Sequence, residues 1–421
     1  MTESKKGFYG LGIAPGILEV LAKLRFEIPT PIQEQAIPIG IEGKDVMGIA
    51  QTGTGKTLAY GIPLIQRILG SGNLGFVIAP TRELALQINE ALVKIGAPLG
   101  LKTATLIGGE AISRQLYDLR RHPQIIIGTP GRILDHLKQK TVSLGKVGVL
   151  VLDEADRMLD MGFAPQLKQI LAVIPHNRQT MLFSATMPEQ IIKIARDYLK
   201  LPIRVEIARS GTAAKNVSQE VFFVAQEDKA RLLEKVLQQY PGSVLIFSRT
   251  KHGARKIASL ARNLGHAAAE IHSNRSLNQR REALGGFKTG KYRILVATDI
   301  ASRGIDVNNI ELVINYDLPE NVEDYVHRIG RTGRAGSSGH AISFARPNQK
   351  RDIRTIEGLI RATLPVSKLP ILPAPHGLHS ITNTPRKSER FSSRAGDRPH
   401  GRFERGRSRF KSRGKRQRFS R

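Results

Sequence analysis

Short runs of Val, Ile and Leu, each bounded by Gly, Pro, Ser, Thr or Asp, recur along the chain and alternate with longer stretches of helical period. Val46 to Ala50, Phe76 to Ala79, Ile125 to Gly128, Val149 to Leu152 and Met181 to Phe183 are too continuously apolar to have a solvent face, and read as parallel strands covered on both sides. Val244 to Phe247, Ile294 to Ala297 and Leu312 to Asn315 form a second set, with amphipathic stretches such as Asp228 to Gln239 between them. The pattern predicts two doubly wound α/β domains. Ala208 to Lys215 is small, polar and without apolar period, and so reads as a flexible linker. After about residue 370 the apolar pattern stops; Ser, Gly and Arg dominate, with Phe391, Phe403, Phe410 and Phe419 spaced through them. Such a segment buries too little apolar surface to offset its ordering entropy and is expected to stay disordered until bound. The expected boundaries are 1–207 for the first domain, 208–216 for the linker, 217–370 for the second domain and 371–421 for a basic tail.

Composition narrows the partners. No run approaches the ~18 uninterrupted apolar residues of a membrane helix, and Glu19 and Lys23 interrupt the first apolar stretch before a signal peptide forms. A cytoplasmic protein, most simply a monomer, is expected. The absence of cysteine excludes disulfides, thiolate zinc sites and iron–sulfur clusters, so any metal must be held by oxygen. The formal charge is +29; His376 to Arg421 holds 15 Lys or Arg against Glu389, Asp397 and Glu404, a net of +12. Both parts of the chain are basic, which points to a polyanion, and nucleic acid is the natural one.

Two segments carry chemistry. After the first apolar run comes Ala50-Gln51-Thr52-Gly53-Thr54-Gly55-Lys56-Thr57, with Ala where a phosphate loop usually has its first Gly. Backbone amides from Gly53 to Lys56 cradle phosphates, Lys56 reaches the terminal ones, and the Thr57 hydroxyl can ligate Mg²⁺. About a hundred residues on, Asp153-Glu154-Ala155-Asp156 follows the run Val149 to Leu152. Carboxylates at the end of a buried strand suit a magnesium nucleotide, Asp153 holding the ion directly or through water and Glu154 deprotonating the attacking water. These residues predict an ATPase.

With Gln33, Gly55-Lys56-Thr57, Asp153 to Asp156, Ser184-Ala185-Thr186 and the run His327 to Arg334, the chain resembles the DEAD-box ATP-dependent RNA helicases over about residues 8 to 345. The resemblance implies two tandem RecA-like domains that bind ATP with Mg²⁺ and RNA across their cleft. It assigns adenine recognition to Phe26 and Gln33, and places Phe8 as the isolated aromatic upstream. Arg25 stands where Gly is common, which bears on the local turn. Pro80-Thr81-Arg82, Gly109 and Thr129 with Gly131-Arg132 are implied as grips on the RNA backbone, as are Arg249, Thr250, Arg280 and Thr298 in the second domain. Asp306 is implied as the ribose contact. Ser184, Thr186, Asp156 and His327 are implied as the coupling between the two sites. Leu277 stands where the Gln of a Gln-x-x-Arg pattern ending at Arg280 is common, so one RNA or interdomain contact is expected to be missing. Arg331 and Arg334 lie three apart; on a helix they share one face and address the γ-phosphate from the second domain.

The mechanism expected is local, non-processive remodelling of RNA duplexes and RNA–protein complexes, driven by closure of the two domains on ATP and one strand. An ATP-gated clamp or annealing chaperone uses the same residues and is the alternative.

Overall fold

The computed structural model describes residues 7–51, 53–207, 217–299, 310–333 and 338–374. The expected linker and the tail beyond Ala374 lie outside the described residues, as do three expected site residues, Thr52, Asp306 and Arg334.

Among the described residues two parallel sheets form, one per lobe. The first holds β1 (Val46–Ile49), β2 (Leu74–Ile78), β3 (Thr103–Leu106), β4 (Ile125–Gly128), β5 (Val147–Leu152), β6 (Gln179–Ser184) and β7 (Ile203–Glu206), in the order β3-β4-β2-β5-β6-β1-β7. The second holds β8 (Val217–Phe223), β9 (Val244–Phe247), β10 (Ala268–Ile271), β11 (Ile294–Ala297), β12 (Leu312–Asn315) and β13 (Gly339–Ala345), in the order β10-β11-β9-β12-β13-β8. The continuous apolar runs have the consequence expected of them. Val149, Val151, Met181 and Phe183 feed a core on one face of the first sheet, and Leu150, Leu152 and Leu182 feed another on the opposite face. Leu245, Phe247 and Leu295 are separated from Val244, Ile246 and Ile294 in the same way in the second lobe. At about 1.5–3 kcal/mol for each fully buried aliphatic side chain, these two-sided sheets are the main source of cohesion. No helix among the described residues is long and apolar enough to cross a membrane.

Strand order decides which loops meet. β5, β6 and β1 are neighbours, so the segments leaving their carboxyl ends converge. In the second sheet β11, β9 and β12 are neighbours, bringing together Thr298 and Asp299, Ser248 to Thr250, and Asp317.

The second lobe does not end at residue 370. The Val221 amide donates to the Pro365 carbonyl and the Ser367 amide to the Val221 carbonyl, both at 2.9 Å, so the outgoing chain covers the free edge of β8. Leu372 then packs on the core, and Arg231 Nε donates to the Pro373 carbonyl at 2.6 Å.

Candidate active site

The phosphate loop leaves β1 with Gly53 and Gly55 at φ +87° and +89°, a region open to Gly at no steric cost. Gly55 caps helix Lys56–Ile68 at its amino end, where backbone donors and the helix dipole favour an anion. Lys56 is buried, and its Nζ has no hydrogen-bond partner among the described residues. An ammonium left so inside a fold is costly unless an anion arrives to meet it.

Beside it, the backbone turns sharply at Glu154, whose φ of 49° and ψ of 53° are left-handed, a costly conformation for a residue with a Cβ. Asp153 accepts the Tyr60 hydroxyl at 2.9 Å on Oδ2 and the Glu154 amide at 2.9 Å on Oδ1. Burial pushes the Asp153 carboxyl up to about 6, with Lys56 opposing and Glu154 assisting. Burial works in the same direction on Glu154, but Arg157, Lys56 and Arg331 outweigh it and hold this carboxyl below the usual range. The two neighbours are thus set apart: burial raises the Asp153 carboxyl while the surrounding cations lower that of Glu154.

Asp156 faces the loop after β6. Its Oδ2 accepts the Ala185 amide at 3.1 Å, the Thr186 amide at 2.8 Å and the Thr186 hydroxyl at 2.9 Å, while its own amide donates to Ser184 Oγ at 3.2 Å. His327 of the second lobe is pulled down to about 3 by burial, with Arg157 adding to the effect and Asp156 opposing it, so the ring is neutral.

The residues that convergence supplies fit a magnesium triphosphate. Lys56 Nζ makes no hydrogen bond among the described residues, the two loop glycines take the left-handed turns of a phosphate cradle, and the oxygen donors Thr57 and Asp153 are the few that Mg²⁺ takes from a protein when phosphates and water supply the rest. Gln51 and Thr54 close the loop through the Thr54 hydroxyl, which donates to the Gln51 carbonyl at 2.7 Å.

Phe26 and Gln33 carry the expected recognition of adenine. Phe26 is 41% exposed and offers a ring face, but Gln33 is buried. Its Oε1 accepts the Thr30 amide and its Nε2 donates to the Gly55 carbonyl, both at 3.0 Å, so it caps its own helix and grips the phosphate loop. A Cβ on Gly55 would collide with that amide. Arg25 keeps the turn by adopting φ +61°, which explains why Gly suits the position. Phe8 is buried in the first lobe's core.

From the second lobe, Arg331 is buried and its Nε donates to the His327 carbonyl at 3.2 Å. Arg334, expected to share a helical face with it, lies outside the described residues. The helix spans Val322–Ile329 and stops at Gly330, so Arg331 lies in the turn beyond it, held by local geometry. Its charge nonetheless reaches Glu154 across the cleft. Arg328, not singled out from the sequence, is the anchor of this segment: it donates to both oxygens of Asp299 at 2.6 and 2.7 Å and lies 5.0 Å from the Phe247 ring.

The DEAD/DEAH box helicase family profile matches residues 30–194, and the helicase conserved C-terminal domain matches residues 228–336. ATP-dependent rRNA helicase RRP3 of Debaryomyces hansenii is 43% identical over 369 residues, 87% of this chain and 77% of that protein. The chain belongs to the DEAD-box ATP-dependent RNA helicases. DEAD-box ATP-dependent RNA helicase CshA of Bacillus subtilis is 42% identical over 368 residues, 87% of this chain and 74% of the relative. Among solved structures, S. cerevisiae Dbp5 bound to RNA and ADP BeF3 superposes with a TM-score of 0.79 at 29% identity, covering 86% of this chain and 95% of that one.

In this helicase the segments expected to grip RNA fall at strand ends and helix starts. Thr81 follows the buried Pro80 and caps helix Arg82–Gly96, its hydroxyl accepting the Leu84 amide at 3.3 Å. The Arg82 guanidinium lies on Gly108 and Gly109, where a Cβ on Gly109 would strike it. Thr129 begins helix Pro130–Lys138; Gly131 faces open space, and Arg132 Nη1 donates to the Glu110 carbonyl at 3.3 Å. Thr250 caps helix Lys251–Asn263, and the Arg249 amide donates to Asp317 at 3.1 Å.

Arg280 is turned to the other lobe: its Nη2 meets Glu83 Oε2 at 2.8 Å, with both side chains largely buried. Arg281 Nη2 meets Glu110 Oε1 at 2.6 Å alongside it. Leu277 is buried within the first lobe's core cluster. At the position where Gln is common, Leu277 makes an apolar contact between the lobes.

Proposed function

We propose that this helicase melts short stretches of RNA by closing its two lobes on ATP and a single strand, without processive travel. The observation that carries the reading is the meeting at one acidic loop of Lys56, Glu154 and Asp156 from one lobe with Arg331 and His327 from the other. The similarity in fold to S. cerevisiae Dbp5 bound to RNA and ADP BeF3 supports the reading.

Within this reading residues 1–207 bind the nucleotide, 208–216 join the lobes, 217–374 complete the site and the residues beyond 374 add basic affinity for RNA. Phe26 stacks on adenine and Gln33 addresses its edge while holding Gly55. The loop from Gln51 to Gly55 cradles the phosphates, and Lys56 neutralises the terminal ones. Thr57 and Asp153 would hold Mg²⁺, which would supply charge neutralisation to the phosphates. Glu154, ionised, takes the proton of the attacking water. Arg331 and Arg334 meet the charge that develops on the γ-phosphate, and Asp306 contacts the ribose. Pro80 to Arg82, Gly109, Thr129, Gly131, Arg132, Arg249, Thr250, Arg280 and Thr298 line the RNA backbone path. Stacking at roughly 1–2 kcal/mol per step keeps the melt local, since one closure event offsets only a few steps.

The decisive experiment compares ATP hydrolysis with and without RNA, then duplex displacement against annealing by the same preparation. Hydrolysis indifferent to RNA would end the reading, and annealing without displacement would favour the clamp. Glu154→Gln should keep ATP and RNA bound while turnover nearly vanishes. Removing residues 375–421 should weaken RNA binding and flatten its salt dependence, by about 0.7 in slope for each phosphate that the tail neutralises on a single strand.

A further inference from the structure

Arg157 follows the acidic motif directly, on the first turn of the short helix Ala155–Asp160, and is 4% exposed. A buried guanidinium needs carboxylates, and Arg157 has one from each lobe. Its Nη1 lies 3.5 Å from Glu154 Oε2, and its Nη2 lies 3.8 Å from Asp324 Oδ1 on helix Val322–Ile329. All three side chains are no more than 10% exposed, so the interactions are poorly screened and sensitive to the loss of one partner. Arg157 and Asp324 also line one narrow cleft with His327, Arg328 and Arg331.

We propose that Arg157 is a positioning residue that passes closure of the lobes to Glu154, one arm of its guanidinium seating the Glu154 carboxylate while the other is fixed by Asp324 only when the lobes meet. The planar fork suits this task, because it holds two carboxylates in a set relation that a single ammonium cannot. Parting of the lobes withdraws Asp324, lets water reach Arg157 and frees the acid to leave its seat. Hydrolysis is then slow in the open form without any change in the nucleotide's own contacts.

This inference rests on Glu154 acting as the base. The test is a double-mutant cycle in the full-length protein, measuring ATPase rate at saturating RNA for Arg157→Gln, Asp324→Asn and both together. Each single change is expected to lower kcat by about 10- to 100-fold, the penalty of a misplaced catalytic group, with KM for ATP little altered. The double variant should be no slower than the slower single one, and Arg157→Lys should recover part of the rate. Effects that multiply, or a KM that rises as kcat falls, would overturn the proposal. If Arg157→Gln does not fold, judged by circular dichroism, Arg157→Lys takes its place in the cycle with the same non-additivity expected. Glu154→Gln in the same assay separates the two ideas. Retained turnover there removes the base itself, whereas lost turnover with a multiplicative cycle removes only the role of Arg157.

Discussion

Thr186 holds Asp156 twice on a single oxygen, through its amide at 2.8 Å and its hydroxyl at 2.9 Å. The loop after β6 is therefore tied to the acidic motif by bonds to a charge, each worth about 1.5–3 kcal/mol. Thr186→Ala removes the hydroxyl and keeps both amides. Duplex displacement should fall more than RNA-stimulated ATPase, both measured on one preparation; equal losses would mean the loop does not carry coupling.

Tyr60 sits one helical turn after Lys56 and donates to Asp153. Tyr60→Phe removes that donor and leaves a buried carboxylate more exposed to its own desolvation, so the Asp153 pKa should move up from its already raised position near 6. Magnesium-dependent binding of a fluorescent ATP analogue should weaken by about 1–3 kcal/mol at neutral pH. Binding unchanged in magnesium would show that this carboxylate is not at the ion.

Besides Arg157 with Asp324, two ion pairs among the described residues cross between the lobes, and burial ranks them. Glu83 and Arg280 are 6% and 11% exposed, whereas Glu110 and Arg281 are 15% and 41% exposed. Arg280→Ala leaves a buried carboxylate alone, at about 3–5 kcal/mol in the closed form. Arg281→Ala should cost below about 1 kcal/mol and be masked by salt. The readout is the RNA concentration giving half-maximal ATPase, which should rise steeply for the first variant and slightly for the second.

His327 gives an acid-sensitive term. Its pKa is near 3 in the fold and near 6.5 when exposed, so between these values the unfolded chain binds a proton that the folded chain excludes. The stability this supports is complete above about 6.5 and is lost as pH falls toward 3. A His327→Gln protein should show a flatter dependence of melting temperature on pH across that window. An unchanged slope would place the acid sensitivity on other groups.

The central strands were legible because burial on both faces writes an unbroken apolar run. The five strands that sequence reading does not find include all four sheet edges, β3, β7, β8 and β10, together with β13. Edge strands need no second apolar face: Ile203–Glu206 is exposed at three of four positions, and Thr103–Leu106 is half-exposed in alternation. The phosphate loop and acidic motif were legible as chemistry at strand ends. Tyr60, Arg157 and Asp324 were not, because each matters through a partner far away in sequence. Tyr60 carried a signal in its four-residue spacing from Lys56, which puts both on one face of the helix. The end of the helix at Gly330 was not legible, and Arg331 lies in a turn beyond it.

The strip from Pro365 to Pro373 is a guard rail as much as an exit path. At Val221 it takes both backbone bonds that the outer edge of β8 would otherwise offer to another molecule, and an uncovered edge of that kind invites strand addition and precipitation. A shortened protein that stops before Pro365 should clump for reasons unrelated to RNA, so the proper cut site lies past Ala374.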